Sequence, residues 1–184
     1  MDGQATGVAN WQYMIAIVAA YAKNRVIGKD NRIPWRLARD RVMLKRLTLG
    51  NTVILGRKSY DSMAWYYDQS GRPMPGKTYI VVTRNPGYKA TRDNIRIAAT
   101  PEEALRIAGE LHEDAYVIGG EHIFTALLPY ADRMYLGEID ADIEGDAYFP
   151  EPNPNEWTEV SREHFTADEK NEYDSDEVVL ERKR

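Results

Sequence analysis

The sequence predicts an α/β fold: a mostly parallel sheet with helices on both faces, finished by an antiparallel edge hairpin. Short apolar runs alternate with helical stretches along most of the chain, the pattern of a parallel sheet. The run over residues 14–20 (Met-Ile-Ala-Ile-Val-Ala-Ala) is apolar throughout, as a strand covered on both faces requires. Two late strand-like runs, over residues 157–165 and 177–182, have no helix between them, which makes them a hairpin.

Taken in order, residues 1–10 are small and polar with Gly3 and Gly7, and residues 1–13 are expected to be a flexible leader ahead of one domain over 14–184. The strand at 14–20 is expected to be central. Residues 24–28 and 30–35 follow as a loop rich in Gly, Asn and Pro, long enough to act as a lid. Helices are expected at 39–49, 58–63 and 121–128, the last stopped by Pro129. A further helix starts at Thr100, where Thr caps, Pro101 takes the first helical position and Glu103 completes a capping box. Its apolar stripe is Ala104, Leu105, Ala108 and Leu111. Further strands are expected at 52–55, 78–83, 94–98, 115–118 and 133–139. The chain shows no internal repeat, and 150–154, though rich in Pro, reads as a loop.

Composition narrows the chemistry. With 184 residues, 43% of them hydrophobic, the chain is large enough for a packed core. It has no Cys, so neither disulfides nor a thiolate nucleophile are available, and its three scattered His (His112, His122, His164) argue against a zinc site. No metal is expected. A net charge of −5 argues against broad nucleic-acid binding. The longest apolar stretch, 14–22, is too short to span a bilayer and follows no basic segment, so a cytoplasmic protein without membrane attachment is expected.

Ligands of parallel sheets sit beyond the carboxyl ends of the strands. Gly119 and Gly120 stand between a strand and a helix start, where a phosphate can approach backbone N–H groups, although such a pair is more often merely a tight turn. No G-x-G-x-x-G is present, so an ordinary Rossmann site is excluded. Gly56, Arg57, Lys58 and Ser59 follow a strand and open a helix, and Thr83 and Arg84 end the next strand. If those segments are neighbours, their cations suit a doubly charged phosphate and select NADPH over NADH; otherwise they are a solvated basic rim. Asp40, near a helix start, reads alone as a cap or dipole partner. Turned inward, it lines one pocket with Leu44, a helical turn on. Trp35 beside Pro34 is a packing anchor or a neighbour of that carboxylate.

Together, Arg25-Val-Ile-Gly28, Ile33-Pro-Trp35, Asp40, Gly56-Arg57, Ser62, Arg72-Pro-Met-Pro-Gly76, Val117-Ile-Gly-Gly120, Glu144-Gly-Asp146 and Phe149-Pro150 resemble the dihydrofolate reductase family from Met14 onward, in order and register. The resemblance implies a single domain with an eight-stranded sheet and about four helices. It implies reduction of 7,8-dihydrofolate to tetrahydrofolate with NADPH, hydride passing from nicotinamide C4 to pterin C6, in one-carbon metabolism and thymidylate and purine supply. Partners would be dihydrofolate and antifolate inhibitors, and the protein would act as a monomer.

In this family Asp40 would accept hydrogen bonds from the pterin 2-amino group and ring N3, and Trp35 would hold an ordered water against it. Val18, Ala20, Leu44, Met63, Ile118 and Phe124 would form the apolar walls, with Ile33, Ser62, Arg72 and Lys77 along the substrate and Gly137 behind Asp40. The cofactor would take Ile27, Gly28, Asn31 and Arg32 of the lid, together with Ala20, Ile118 and Phe124. Its adenosine phosphates would meet Arg57, Lys58, Ser59, Thr83 and Arg84 beyond Gly56, and its pyrophosphate Gly119, Gly120, Glu121, His122 and Ile123.

Four positions depart from the pattern. Lys77 replaces an Arg that clamps the glutamate α-carboxylate, a point charge in place of a fork. Gly137 replaces a Thr beside the pterin carboxylate, Leu44 a frequent Phe, and Arg41 an apolar neighbour. These changes remodel the inhibitor site, so reduced sensitivity to trimethoprim is expected, with neutral divergence the plainer alternative. Residues 64–70 (Ala-Trp-Tyr-Tyr-Asp-Gln-Ser) are an insertion whose aromatics either pack on the domain or cover the glutamyl tail. The rival readings are the riboflavin-pathway pyrimidine reductase, which shares fold and cofactor, and a noncatalytic NADPH-binding module.

Overall fold

Ile15–Ala22 (β1) alternates its apolar side chains between two helix layers, which is why nearly every position along it is buried. Ile15, Ile17 and Ala19 join one core cluster, while Ala16 and Val18 join another under the first helix. The computed structural model describes residues 13–184, so most of the expected leader lies outside the described residues. After β1 come Val26–Gly28 (β2), Ala38–Thr48 (α1), Thr52–Gly56 (β3), Arg57–Ser70 (α2), Thr78–Val82 (β4), Ile95–Ala98 (β5) and Pro101–Leu111 (α3). Ala115–Gly119 (β6), Glu121–Leu127 (α4), Arg133–Ile139 (β7), Ala147–Tyr148 (β8), Trp157–Phe165 (β9) and Ser175–Arg182 (β10) complete the order.

The main sheet has eight strands in the order β5-β4-β3-β6-β1-β7-β10-β9. Pairing is parallel from β5 to β7, and β10 and β9 add the antiparallel hairpin. The expected fold class holds. One face carries α3 and α4 through Ala104, Leu105, Ala108, Ile123, Phe124 and Leu127. The other carries α2 through Tyr60 and Ala64, and α1 through Met43 with Leu44 and Leu47 partly buried. At the start of α3, Thr100 Oγ1 accepts from the Glu103 N–H at 3.1 Å and Pro101 sits in the first turn.

Several element boundaries differ from the sequence reading, and three of the differences have a clear cause. The helix expected at 58–63 runs to Ser70, because Tyr60, Ala64 and the partly buried Met63 keep one face on the sheet and Arg92 ties its far end, donating to Tyr60 Oη at 3.0 Å and pairing with Asp68. The inserted residues 64–70 are thus a helical extension, with Trp65 66% exposed. The helix expected at 121–128 ends at Leu127, and Pro129 falls inside a following 3-10 turn. The loop at 24–28 contains β2, paired with β8, because Val26 is buried there.

Candidate active site

Asp40 lies in the first turn of α1, beside the carboxyl end of β1, yet it caps nothing. Its Oδ2 accepts a hydrogen bond from Trp35 Nε1 at 3.1 Å. The indole reaches the carboxylate directly, because the chain turns into α1 just after Trp35 and brings it within range. The N-cap residue is Leu37, which has no side-chain acceptor. The orphan N–H groups of the first turn are met instead from the loop joining β9 to β10. Lys170 O accepts from the Ala38 N–H at 3.2 Å and Asn171 Oδ1 from the Arg39 N–H at 3.1 Å. Asn171 is buried and anchored by donating to Asp168. Arg36 and Glu172 close the brace: the Glu172 N–H donates to Arg36 O at 3.1 Å, and the Arg36 N–H to Glu172 Oε2 at 3.0 Å.

Burial, the largest influence, pushes the Asp40 carboxyl up to about 6; the Trp35 N–H, Arg39 and Arg41 pull it down, and the charge of Glu177 pushes it further up. A carboxyl poised there changes charge near neutral pH and gains from a ligand that brings N–H donors or a proton. Behind it, a Cβ on Gly137 would stand 3.0 Å from Asp40 Oδ1 and 3.3 Å from Ala20 Cβ. Val18, Leu44 and Ile118 pack in the cluster under α1, and Met63 with Ile118 in the adjoining one, so the structure brings these wall residues together. Phe124 packs instead on the opposite face against Phe149, its ring 3.3 Å from where a Gly119 Cβ would be.

The lid loop is more ordered than its composition suggests. Lys29 and Arg32 exchange backbone hydrogen bonds around Asp30 (φ 50°) and Asn31 (φ 60°), two left-handed residues that make a tight hairpin turn. Asp146 clasps it, Oδ2 accepting from the Asp30 N–H and its own N–H donating to Gly28 O, both at 3.0 Å. Ile27 and Gly28 lie in β2, while Ile33, 68% exposed, stands with Pro34 and Trp35 at the rim of an open cavity of ≈ 520 Å³ that Glu172 also lines.

Two strand-to-helix turns and the end of β4 come together at the carboxyl edge of the sheet. Gly56 at the end of β3 pairs with Val82 at the end of β4, so Arg57 and Lys58 adjoin Thr83 and Arg84 as neighbours. A Cβ on Gly56 would lie 3.4 Å from Ile123 and 3.9 Å from the Gly120 N, and Ser59 Oγ stands 3.6 Å from where a Gly120 Cβ would be. Gly119 has φ 126°, a conformation that favours glycine, and the Gly119–Gly120 peptide is cis. Arg57 leans on Asp61 at 3.4 Å, whereas Lys58 and Arg84 are exposed, as are Glu121 and His122 in the first turn of α4. The result is a cradle of small residues and backbone N–H groups ringed by cations, which fits a nucleotide diphosphate with a further phosphate.

The substrate-tail residues are less gathered. Ser62 is exposed on α2, and Arg72 is exposed just past its glycine C-cap. Lys77 is paired with Glu113, whose Oε2 also accepts from Thr52 Oγ1 at 2.9 Å. Sequence reading missed Glu113, Asn171, Glu172 and Glu177. For Asn171 a signal existed: Leu37 at the N-cap leaves α1 in need of a cap from elsewhere.

A family model described as dihydrofolate reductase matches residues 14–182. The chain is 40% identical over 171 residues to the dihydrofolate reductase type 3 of Salmonella typhimurium, covering 93% of this chain and 99% of that one. It is 39% identical over 170 residues to the dihydrofolate reductase of Bacillus subtilis, covering 92% and 95% respectively. Among solved structures it is similar to the Enterococcus faecalis dihydrofolate reductase in complex with NADP(H) and RAB-propyl, with a TM-score of 0.79, 35% identity and coverage of 93% and 97%.

Proposed function

The chain belongs to the dihydrofolate reductase family, and we propose on that premise that Asp40 is the group on which its reaction turns. The enzyme is an NADPH-dependent oxidoreductase that reduces dihydrofolate. The observation that carries the residue assignment is Asp40 itself: a largely buried carboxyl, raised to about 6, hydrogen-bonded to Trp35 and open toward Gly137. NADPH, when bound, supplies a hydride from nicotinamide C4 to pterin C6.

The chain's residues do the rest. Asp40 accepts from the pterin 2-amino group and N3, which fixes the ring's orientation and favours its protonated form. Trp35 fixes the free carboxylate's direction. The lid over 22–36 keeps bulk water from the reacting carbons, with Asp146 and Glu172 as its clasps. Arg57, Lys58, Ser59, Thr83 and Arg84 hold the adenosine phosphates, and Gly119 to Ile123 the pyrophosphate. Residues 14–184 act as one domain, a cytoplasmic monomer supplying tetrahydrofolate for one-carbon metabolism.

Lys77 meets the glutamate α-carboxylate weakly, since a point charge replaces a fork and Glu113 competes for it. Leu44, Arg41 and Gly137 reshape the ring pocket enough to reduce trimethoprim sensitivity; inhibition at the concentrations that stop ordinary bacterial homologues overturns that. Following NADPH oxidation with dihydrofolate, then with Asp40→Asn, tests the main reading. Turnover with a severe loss in the variant supports it, NADPH binding without turnover supports a noncatalytic module, and turnover with a pyrimidine substrate alone supports the riboflavin-pathway reaction.

A further inference from the structure

Asp40 has a charged neighbour to which no role has been given. Gly137 on β7 pairs with Glu177 on β10. Directly opposed residues of an antiparallel pair project from one face of the sheet, about 5 Å apart at Cβ. That face is the one α1 covers, because Gly137 also pairs with Ala20 and its missing Cβ would stand 3.0 Å from Asp40 Oδ1. Glycine leaves this space open between the carboxylate and the strand that bears Glu177.

The other groups around Asp40 offset a second negative charge only in part, Arg39 and Arg41 pulling its carboxyl down without touching it. On α1, Arg39 is turned to the hairpin, donating to Ser175 Oγ at 3.1 Å and to Thr166 O at 2.8 Å, and standing 3.6 Å from Asp168. Arg41 is exposed to water. From β1 comes apolar Ala20, from β7 the glycine, and from the lid the neutral Trp35 N–H. Arg46, on the same flank of α1 as Arg39, stands 3.6 Å from Glu177 Oε2. The Glu177 side chain is only 24% exposed, so its charge is poorly screened.

We propose that Glu177 is a positioning residue of this site, a second carboxylate set across the space at Gly137 that makes Asp40 select ring ligands carrying a proton. The proposal rests on Asp40 being the ring partner. Two carboxylates flanking the same space at Gly137 resist being charged together, and a cationic ring relieves both at once. Arg46 moderates the effect by pairing with Glu177. The ligand class is a 2-amino nitrogen heterocycle basic enough to bind protonated, whether a reducible pterin or a diaminopyrimidine inhibitor.

The test is Glu177→Gln, with Glu177→Asp as the conservative rescue, read in two ways. Carbon-13 NMR of the Asp40 carboxyl in the ligand-free protein reports its titration directly, and single-turnover hydride transfer with NADPH and dihydrofolate reports a pH profile. In Glu177→Gln both midpoints are expected to move to lower pH by about half a unit, and trimethoprim affinity at pH 7 to fall about threefold, with NADPH affinity unchanged. Glu177→Asp restores most of the shift, and Arg46→Gln moves the midpoints up. An Asp40 titration that does not move in Glu177→Gln overturns the proposal. If that titration moves and the hydride profile does not, the coupling of Glu177 to Asp40 stands and the assignment of Asp40 to the reacting ring is what fails.

Discussion

The two polar regions of this active site are built by opposite means. The phosphate cradle is local: Gly56 to Ser59 and Gly119 to Gly120 are short turns after strands, with Lys58 exposed to solvent and Arg57 held only by Asp61 one turn on. The Asp40 pocket is assembled at long range, with Asn171 capping a helix 132 residues earlier in the chain and Arg39 reaching Ser175 136 residues away. The difference teaches that binding a flexible, highly charged cofactor asks for donors and charge, whereas holding one carboxylate in a semi-buried position asks for bracing. Damage to the first region should therefore appear in cofactor affinity, and damage to the second in turnover and stability.

The largest expected effect is that of Asp40→Asn, which should lower kcat/KM for dihydrofolate by about a hundredfold or more. The same variant should be more stable. A carboxyl whose folded-state value is raised binds more protons in the native state, so its contribution declines as pH rises from about 4 through about 6. Removing that charge should stabilise the protein at pH 7 by about 1–2 kcal/mol, after allowance for screening. Equal denaturation midpoints for the two proteins at pH 7, with the wild type no more stable at pH 5, would break the claim of a strained carboxylate.

Asn171→Ala comes next. It removes the remote cap and should cost about 1 kcal/mol in urea unfolding, with a fall in kcat that Asn171→Ser partly reverses. A loss of stability with unchanged kcat would show that the hairpin supports the fold but not the site. Arg84→Ala sharpens the other side of the comparison: NADPH should bind about tenfold more weakly at low salt, the gap closing as salt rises, with little change in kcat. Smallest is Lys77→Arg, for which a two- to threefold lower Michaelis constant for dihydrofolate is expected. No change at all would remove Lys77 from the substrate's path.

What was legible in the sequence follows the same division. Strand runs such as residues 52–55 and 115–118, and the Thr100 cap, depend on neighbours a few positions away, and their pattern shows. Register between β3 and β4 turned separate cations into one rim, which no local pattern contains. The bracing of α1 was invisible because Asn171, Glu172 and Glu177 sit in an ordinary polar hairpin whose partners are far off in sequence. Asp40 itself was ambiguous as a helix-start acid, and only the direct Trp35 contact and the vacancy of a side chain at Gly137 define what it faces. The extension of α2 through Ser70 was obscured by exposed Trp65 and Tyr66, which interrupt an otherwise helical spacing of Tyr60, Met63 and Ala64.

In the sheet, β10 is inserted between β7 and β9. Synthesis runs from the amino end, so when Tyr148 is joined the chain already contains the residues of the phosphate cradle but nothing that can cap α1. The residues that fix the carboxylate are therefore among the last to be made, and catalytic competence waits for the segment around residues 166–177.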